Sequence, residues 1–147
     1  MQLIGYRPEF FELYEMLPRD FYAAWYPVRA ENLWSIFDPI LLAAADGLRA
    51  RYGPMVINTW FWGGPNQYRG YRPPACAIGA PLSMHRFGRA LDLVPTRTTA
   101  EAIRAEIRRH PSDPVFQRVS RVENNVDWLH IDRANVPGSL TTRFFNP

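Results

Sequence analysis

The sequence predicts an α+β fold in which a small antiparallel sheet is flanked by helices, as one domain over residues 1–147. Three observations carry this. Helix-like and strand-like stretches follow one another without the regular alternation that builds a parallel sheet. The strand candidates are short and bounded by turn residues. No repeat or linker divides the chain of 147 residues, and a domain of that size buries roughly 70% of its unfolded surface without help from disulfides.

Asp38-Pro39 is a helix start, with the acid as cap and the proline at the first helical position, where no N–H is needed. Leu41, Ala44, Ala45, Leu48 and Tyr52 then keep helical spacing until Gly53-Pro54 stops the run. Residues 55–61 are β-rich and read as a buried strand. Pro and Gly cluster over 63–81, which marks a long loop; loops of such length in a compact domain are usually functional, so this one is a candidate rim of a site. A strand is predicted over 89–94. Thr98 with Glu101 reads as a capping box for a second helix, with Ile103 and Ile107 inward and His110-Pro111 at its end. A further strand is expected over 126–133, after the turn signal Glu123-Asn124-Asn125, and another is possible over 115–122.

The composition narrows the function classes. With 47% hydrophobic and 21% charged residues the chain is an ordinary globular protein, far from the signature of disorder. A formal charge of +3, from 17 basic against 14 acidic residues, is too weak a signal to point to nucleic acid. The single cysteine, Cys76, excludes an internal disulfide and a multi-cysteine zinc cluster. Arg7, Glu9, Glu12 and Glu15 interrupt the N-terminal apolar residues, so no signal peptide is expected, and nowhere do apolar residues run for the ~20 positions of a membrane span. A soluble protein is the expectation.

Two of the three histidines lie in the most unusual stretches, Ser83-Met84-His85-Arg86-Phe87-Gly88-Arg89-Ala90-Leu91-Asp92 and Asp127-Trp128-Leu129-His130-Ile131-Asp132. Catalytic zinc sites commonly take three N or O ligands and leave a fourth position for water. His85, Asp92 and His130 supply that set. Strand alternation turns Leu91 and Leu93 to a core and Ala90 and Asp92 to the other face; likewise Leu129 and Ile131 oppose Trp128, His130 and Asp132. Gly88 gives the bend that folds His85 back over the same point. Hydrolysis also needs a base that is not a ligand. Asp127 is the first candidate, redirected by the preceding turn, and Glu123 is the fallback.

Ser83, His85, Gly88, Ala90 and Asp92, followed by Asp127-Trp128-x-His130, resemble the M15 family of zinc D-Ala-D-Ala carboxypeptidases and phage peptidoglycan endopeptidases, over about residues 69–132. The resemblance implies the small DD-peptidase/hedgehog-type fold, with His85, Asp92 and His130 binding Zn2+ and Asp127 as base. It also implies an arginine holding the substrate carboxylate or the oxyanion, which by spacing is Arg69, with Arg72 a near rival. The implied reaction is metal-assisted hydrolysis of a peptidoglycan stem peptide. In that setting Trp128 walls the cleft, and Ser83 serves either the motif loop or a plain turn hydrogen bond. Asp132 is either a carboxylate orienting a ligand or a plain strand-end acid. The family's Ser-Gly-Tyr-Arg-Ser-Pro run is replaced here by Gln67-Tyr68-Arg69-Gly70-Tyr71-Arg72-Pro73.

A competing function is a non-catalytic zinc-containing peptidoglycan-binding or virion structural module. By analogy with phage enzymes, the chain is expected in the cytoplasm before release, or on a virion. His110 reads as a helix-end residue, Arg104, Arg108 and Arg109 as a solvated helix face, and Trp60, Phe61, Trp62 and Tyr68 as core and loop packing that could also wall a substrate.

Overall fold

The computed structural model describes residues 4–147, so the first three positions of the N-terminal stretch read for a signal peptide lie outside the described residues. A short helix α1 (Leu13–Met16) leads into α2 (Arg19–Arg29), a 3₁₀ segment (Ala30–Ile36) and the central helix α3 (Pro39–Tyr52). Strand β1 (Met55–Val56), the long loop, a 3₁₀ turn (Met84–Phe87), β2 (Ala90–Pro95) and α4 (Ala100–Arg109) follow. The chain closes with β3 (Arg121–Glu123), β4 (Leu129–Asp132) and β5 (Arg143–Phe145).

The five strands form one sheet in the order β1-β2-β4-β3-β5. Its first four strands pair antiparallel, as predicted, but β5 joins β3 in parallel, so the sheet is mixed. A parallel neighbour needs a crossover, and β4 with the segment 133–142 supplies it. Helix α3 lies in the core: Leu41, Leu42, Ala44, Ala45 and Leu48 are buried with Leu91, Leu93, Leu129 and Ile131 of the sheet and Ile103 and Ile107 of α4. Asp38 caps α3 as predicted, its Oδ1 accepting from Ile40 N at 2.8 Å and Leu41 N at 3.2 Å. No helix among the described residues is long and apolar enough to cross a membrane.

Several boundaries differ from the sequence reading, each for a local reason. The strand expected over 55–61 stops at Val56, because the following backbone bonds elsewhere. Asn58 N donates to Glu15 O, the Arg69 guanidinium takes Ile57 O, and residues 60–62 close a 3₁₀ turn ending at Gly63. Side chains of Asn58 and Thr59 satisfy the loop in place of a ladder. The possible strand over 115–122 is instead a 3₁₀ turn (Phe116–Arg118) and the short β3. The cap of α4 is Thr99 rather than Thr98, its hydroxyl accepting from Ala102 N, and the Glu101 carboxylate binds Arg104 and Arg108 instead of closing a box.

Arg104 is the clearest correction. Read as part of a solvated helix face, it is only 3% exposed. Its guanidinium donates to the carbonyls of Glu123, Val126 and Trp128 at 3.3, 2.7 and 3.0 Å. Those bonds curl 123–128 into a turn, with Asn125 at φ 58°, and explain why β4 begins at Leu129 rather than at 126. Arg108 and Arg109 do stay at the surface.

Candidate metal centre

In the β2/β4 register Asp92 lies opposite His130 and Ala90 opposite Asp132, while Leu91 with Ile131 and Leu93 with Leu129 fill the opposite, core face. The alternation read from the sequence is therefore the one that builds the site. His85 arrives from the 3₁₀ turn ahead of β2, which Ser83 caps by accepting from His85 N and which ends at Gly88 in the left-handed region, φ 67°. A side chain at position 88 would run into the Ile36 carbonyl as well as strain that φ.

The three predicted ligands converge. One ligand atom from each of His85, Asp92 and His130 lies within 4.8 Å of the others, and all three residues are buried. Asp92 Oδ1 is 3.3 Å from His85 Nε2 and 2.8 Å from His130 Nδ1. His85 Nδ1 is 2.8 Å from the Gly70 carbonyl, which can only accept, so Nδ1 carries a proton and Nε2 is the ring atom that faces Asp92. On the far side of His130, Nε2 is 3.0 Å from Asp132 Oδ2.

Asp132 is fully buried, which resolves its role: it is no plain strand-end acid. It receives Arg121 through Nε and Nη2, the backbone N–H of Ala134, and the His130 ring. Such a carboxylate fixes both the ring plane and the tautomer of a metal-binding histidine.

Electrostatics follow from this packing. Burial alone would push the Asp92 carboxyl up, but hydrogen bonds and charge from His130 and His85 outweigh it and hold Asp92 well below the usual range. Burial disfavours charge on His130, yet its bonds to Asp132 and Asp92 win and push its pKa up to about 9. Burial is likewise the largest influence on Asp132, and His130 and Arg121 reverse it, holding that carboxyl low. Without a metal, the His130 imidazolium thus bridges two carboxylates, with Nδ1 toward Asp92 and Nε2 toward Asp132. A cation at the centre would be held through Nδ1 in place of its proton, with Nε2–H left to Asp132. Two imidazoles and one carboxylate are a donor set that suits zinc.

The triad opens into a cleft of about 470 Å³. Of the other predicted residues, Arg72, Ser83 and Trp128 line it. Arg72 Nη2 lies 3.5 Å from Asp92 Oδ2 and its Nε donates to Tyr68 O at 2.8 Å. Arg69, the first choice for the substrate arginine, is not on the wall; its guanidinium is turned to Ile57 O, and its own carbonyl accepts from Asp92 N at 2.8 Å. It braces β2 at Asp92, and Arg72 takes the place in the cleft. Asp127 is exposed in the Arg104-held turn and is not among the cleft residues. Glu123 is among them. The β3/β4 register pairs Val122 with Ile131 in the core, so the next position sets Glu123 beside His130 on the site face.

Arg121 and Phe145 line the same cleft and were missed. Phe145 stands edge-on to His130 with centroids 5.6 Å apart, under the Arg121 guanidinium at 4.6 Å. The pattern Arg121-Val122-Glu123, polar on both sides of one apolar residue, was the available signal. No family model, curated protein or solved structure matches this chain.

Proposed function

We propose that the chain is a zinc-dependent hydrolase of peptide bonds in peptidoglycan stem peptides, of the carboxypeptidase or endopeptidase kind. The observation that carries the hydrolase reading is the convergence of His85 Nε2, Asp92 Oδ1 and His130 Nδ1 at the floor of an open cleft. Gly70 O and Asp132 Oδ2 each stand against the ring nitrogen that ligation would leave free, Nδ1 of His85 and Nε2 of His130. The substrate class rests on the resemblance of the two motifs to the M15 peptidases, and the same resemblance implies the DD-peptidase/hedgehog-type fold.

Zinc held by these three residues would supply Lewis acidity to a scissile carbonyl and acidify solvent at the site. The protein's own part follows from the cleft wall. Glu123 takes the proton from the attacking water and returns it to the leaving amine, in preference to Asp127, because it is the carboxylate that lines the cleft without being spent on a ligand or a buried pair. Arg72 donates to the substrate carboxylate or to the carbonyl oxygen as it gains charge. Trp128 and Phe145 wall the cleft and keep water from it.

The exposure of Asp127 favours a second reading, a zinc-containing module that binds peptidoglycan without turnover. Metal analysis of the purified chain, paired with mass spectrometry of muropeptides after digestion, separates the two. New amino termini that vanish with chelator and with Glu123→Gln support the hydrolase. Stoichiometric zinc with unchanged muropeptides would leave the binding module in its place, and absence of bound zinc would remove both.

A further inference from the structure

A second cleft, of about 480 Å³, lies at the end of the sheet where β2 begins and β4 ends. Its wall carries Arg89 and Arg133 and no acidic residue. These two arginines continue the β2/β4 ladder by one step, Arg133 N donating to Arg89 O at 2.9 Å. Being one residue beyond Ala90 and Asp132, they leave the sheet on the face opposite the metal centre, toward the start of α3.

Both guanidiniums approach one carboxylate without bonding to it. Arg89 Nε is 3.7 Å and Arg133 Nε 3.9 Å from the same oxygen, Asp38 Oδ2, beyond hydrogen-bond reach. The other oxygen of Asp38 is committed to capping α3. Arg133 Nη1 has one acceptor, Arg118 O at 3.3 Å. Its Nε is sealed from solvent with no hydrogen-bond partner among the described residues. A buried donor left unmade carries a penalty of about 1–3 kcal/mol, a sign that the guanidinium is under-partnered. Two fixed positive charges share one negative charge here, and the remaining polar wall, with Gln117, Ser120, Asn135 and Thr141, is neutral.

We infer that this cleft is an oxyanion site, which takes a phosphate group between the guanidiniums of Arg89 and Arg133. Paired guanidinium forks match the geometry of phosphate oxygens, and the two arginines leave one positive charge that Asp38 does not balance for an anion to meet. The cleft is larger than a phosphate ion alone, and its neutral donors and acceptors suit the hydroxyl groups of an esterified polyol or sugar. Nothing in this inference depends on the hydrolase reading, since the two clefts share no lining residue.

The test is an amide-resolved NMR titration of the full chain with inorganic phosphate and with glycerol 3-phosphate, against sodium chloride and acetate at matched ionic strength. Saturable shifts of the Ser120, Ala134 and Asn135 amides with both phosphates, weakened at least about tenfold in Arg89→Gln and Arg133→Gln, are expected. Arg89→Lys keeps the charge but loses the fork, so it should bind with intermediate strength while leaving the rest of the spectrum in place; it stands in if Arg133→Gln unfolds. Tighter binding of glycerol 3-phosphate than of inorganic phosphate identifies an esterified ligand, and equal binding a free ion. Non-saturable shifts, equal response to acetate, or shifts that survive in the arginine variants overturn the site.

Discussion

The two clefts are nearly equal in size, about 470 and 480 Å³, and grow from neighbouring residues at the β2/β4 pair, yet one balances its charges and the other does not. Asp92, His130 and Asp132 leave one face of the sheet; Arg89 and Arg133, one position along, leave the other. Around His85, Asp92 and His130 the buried charges have partners: Arg121 takes Asp132 at 2.7 Å, Arg72 stands by Asp92, and His130 bridges the two acids. On the other side two arginines divide a single distant carboxylate. What distinguishes the two clefts is the supply of partners, not the volume enclosed. A single step of strand alternation is enough to set it.

Four changes test that contrast, the largest effect first. Asp92→Ala removes the ligand shared by both imidazoles; stoichiometric zinc and all hydrolysis should be lost by elemental analysis and muropeptide assay, with phosphate binding at the second cleft unchanged. Retention of zinc would break the assignment. Glu123→Gln should lower kcat by about 10²–10⁴-fold at unaltered zinc content, while Asp127→Asn changes it less than about tenfold. The reverse ranking would move the base to Asp127.

Next comes pH. The pKa of His130, about 9 in the folded protein, lies above the ordinary value of about 6.5 that it regains on unfolding, so its contribution is fully present below pH 6.5 and is lost as pH rises through 9. Melting of the chelator-treated chain should therefore show up to about 3 kcal/mol of stability disappearing between pH 6.5 and 9. Zinc affinity should climb over the same interval, as the proton on Nδ1 is given up. A flat melting profile would mean that His130 is not held between the acids. The smallest effect is expected of Asp38→Ala: loss of the α3 cap costs about 1 kcal/mol in chemical denaturation. Phosphate should then bind the second cleft more tightly, and weaker binding would show that Asp38 organises the arginines rather than competes for them.

The parts legible in the sequence are those where a residue type and a period speak together. Asp38-Pro39 announced α3, and the alternation around Asp92 and His130 placed both on one face, opposite a core that the structure reproduces. What stayed hidden depends on partners distant in the chain. Arg104 occupies a position on an amphipathic helix that pattern alone assigns to solvent, and only the curled carbonyls of 123–128 explain its burial. Arg69 and Arg72 sit in a loop with no period to orient them, so which one enters the cleft was a matter of tertiary contacts. Strand β5 has three residues, too few for any alternation to show, and its parallel pairing made the sheet mixed.

Gly70 ties this together in an unexpected place. Its carbonyl sets the proton on His85, while a side chain at position 70 would collide with the backbone of Met16. Met16 O also holds Tyr71 N at 2.8 Å, and the neighbouring carbonyls of Glu15 and Leu17 hold Asn58 and Trp60. The segment near the amino end is thus a clasp on the loop behind the first histidine. Anyone grafting residues 63–81 into another scaffold would have to transplant the 15–17 clasp along with it, or lose the imidazole's orientation in the chimaera.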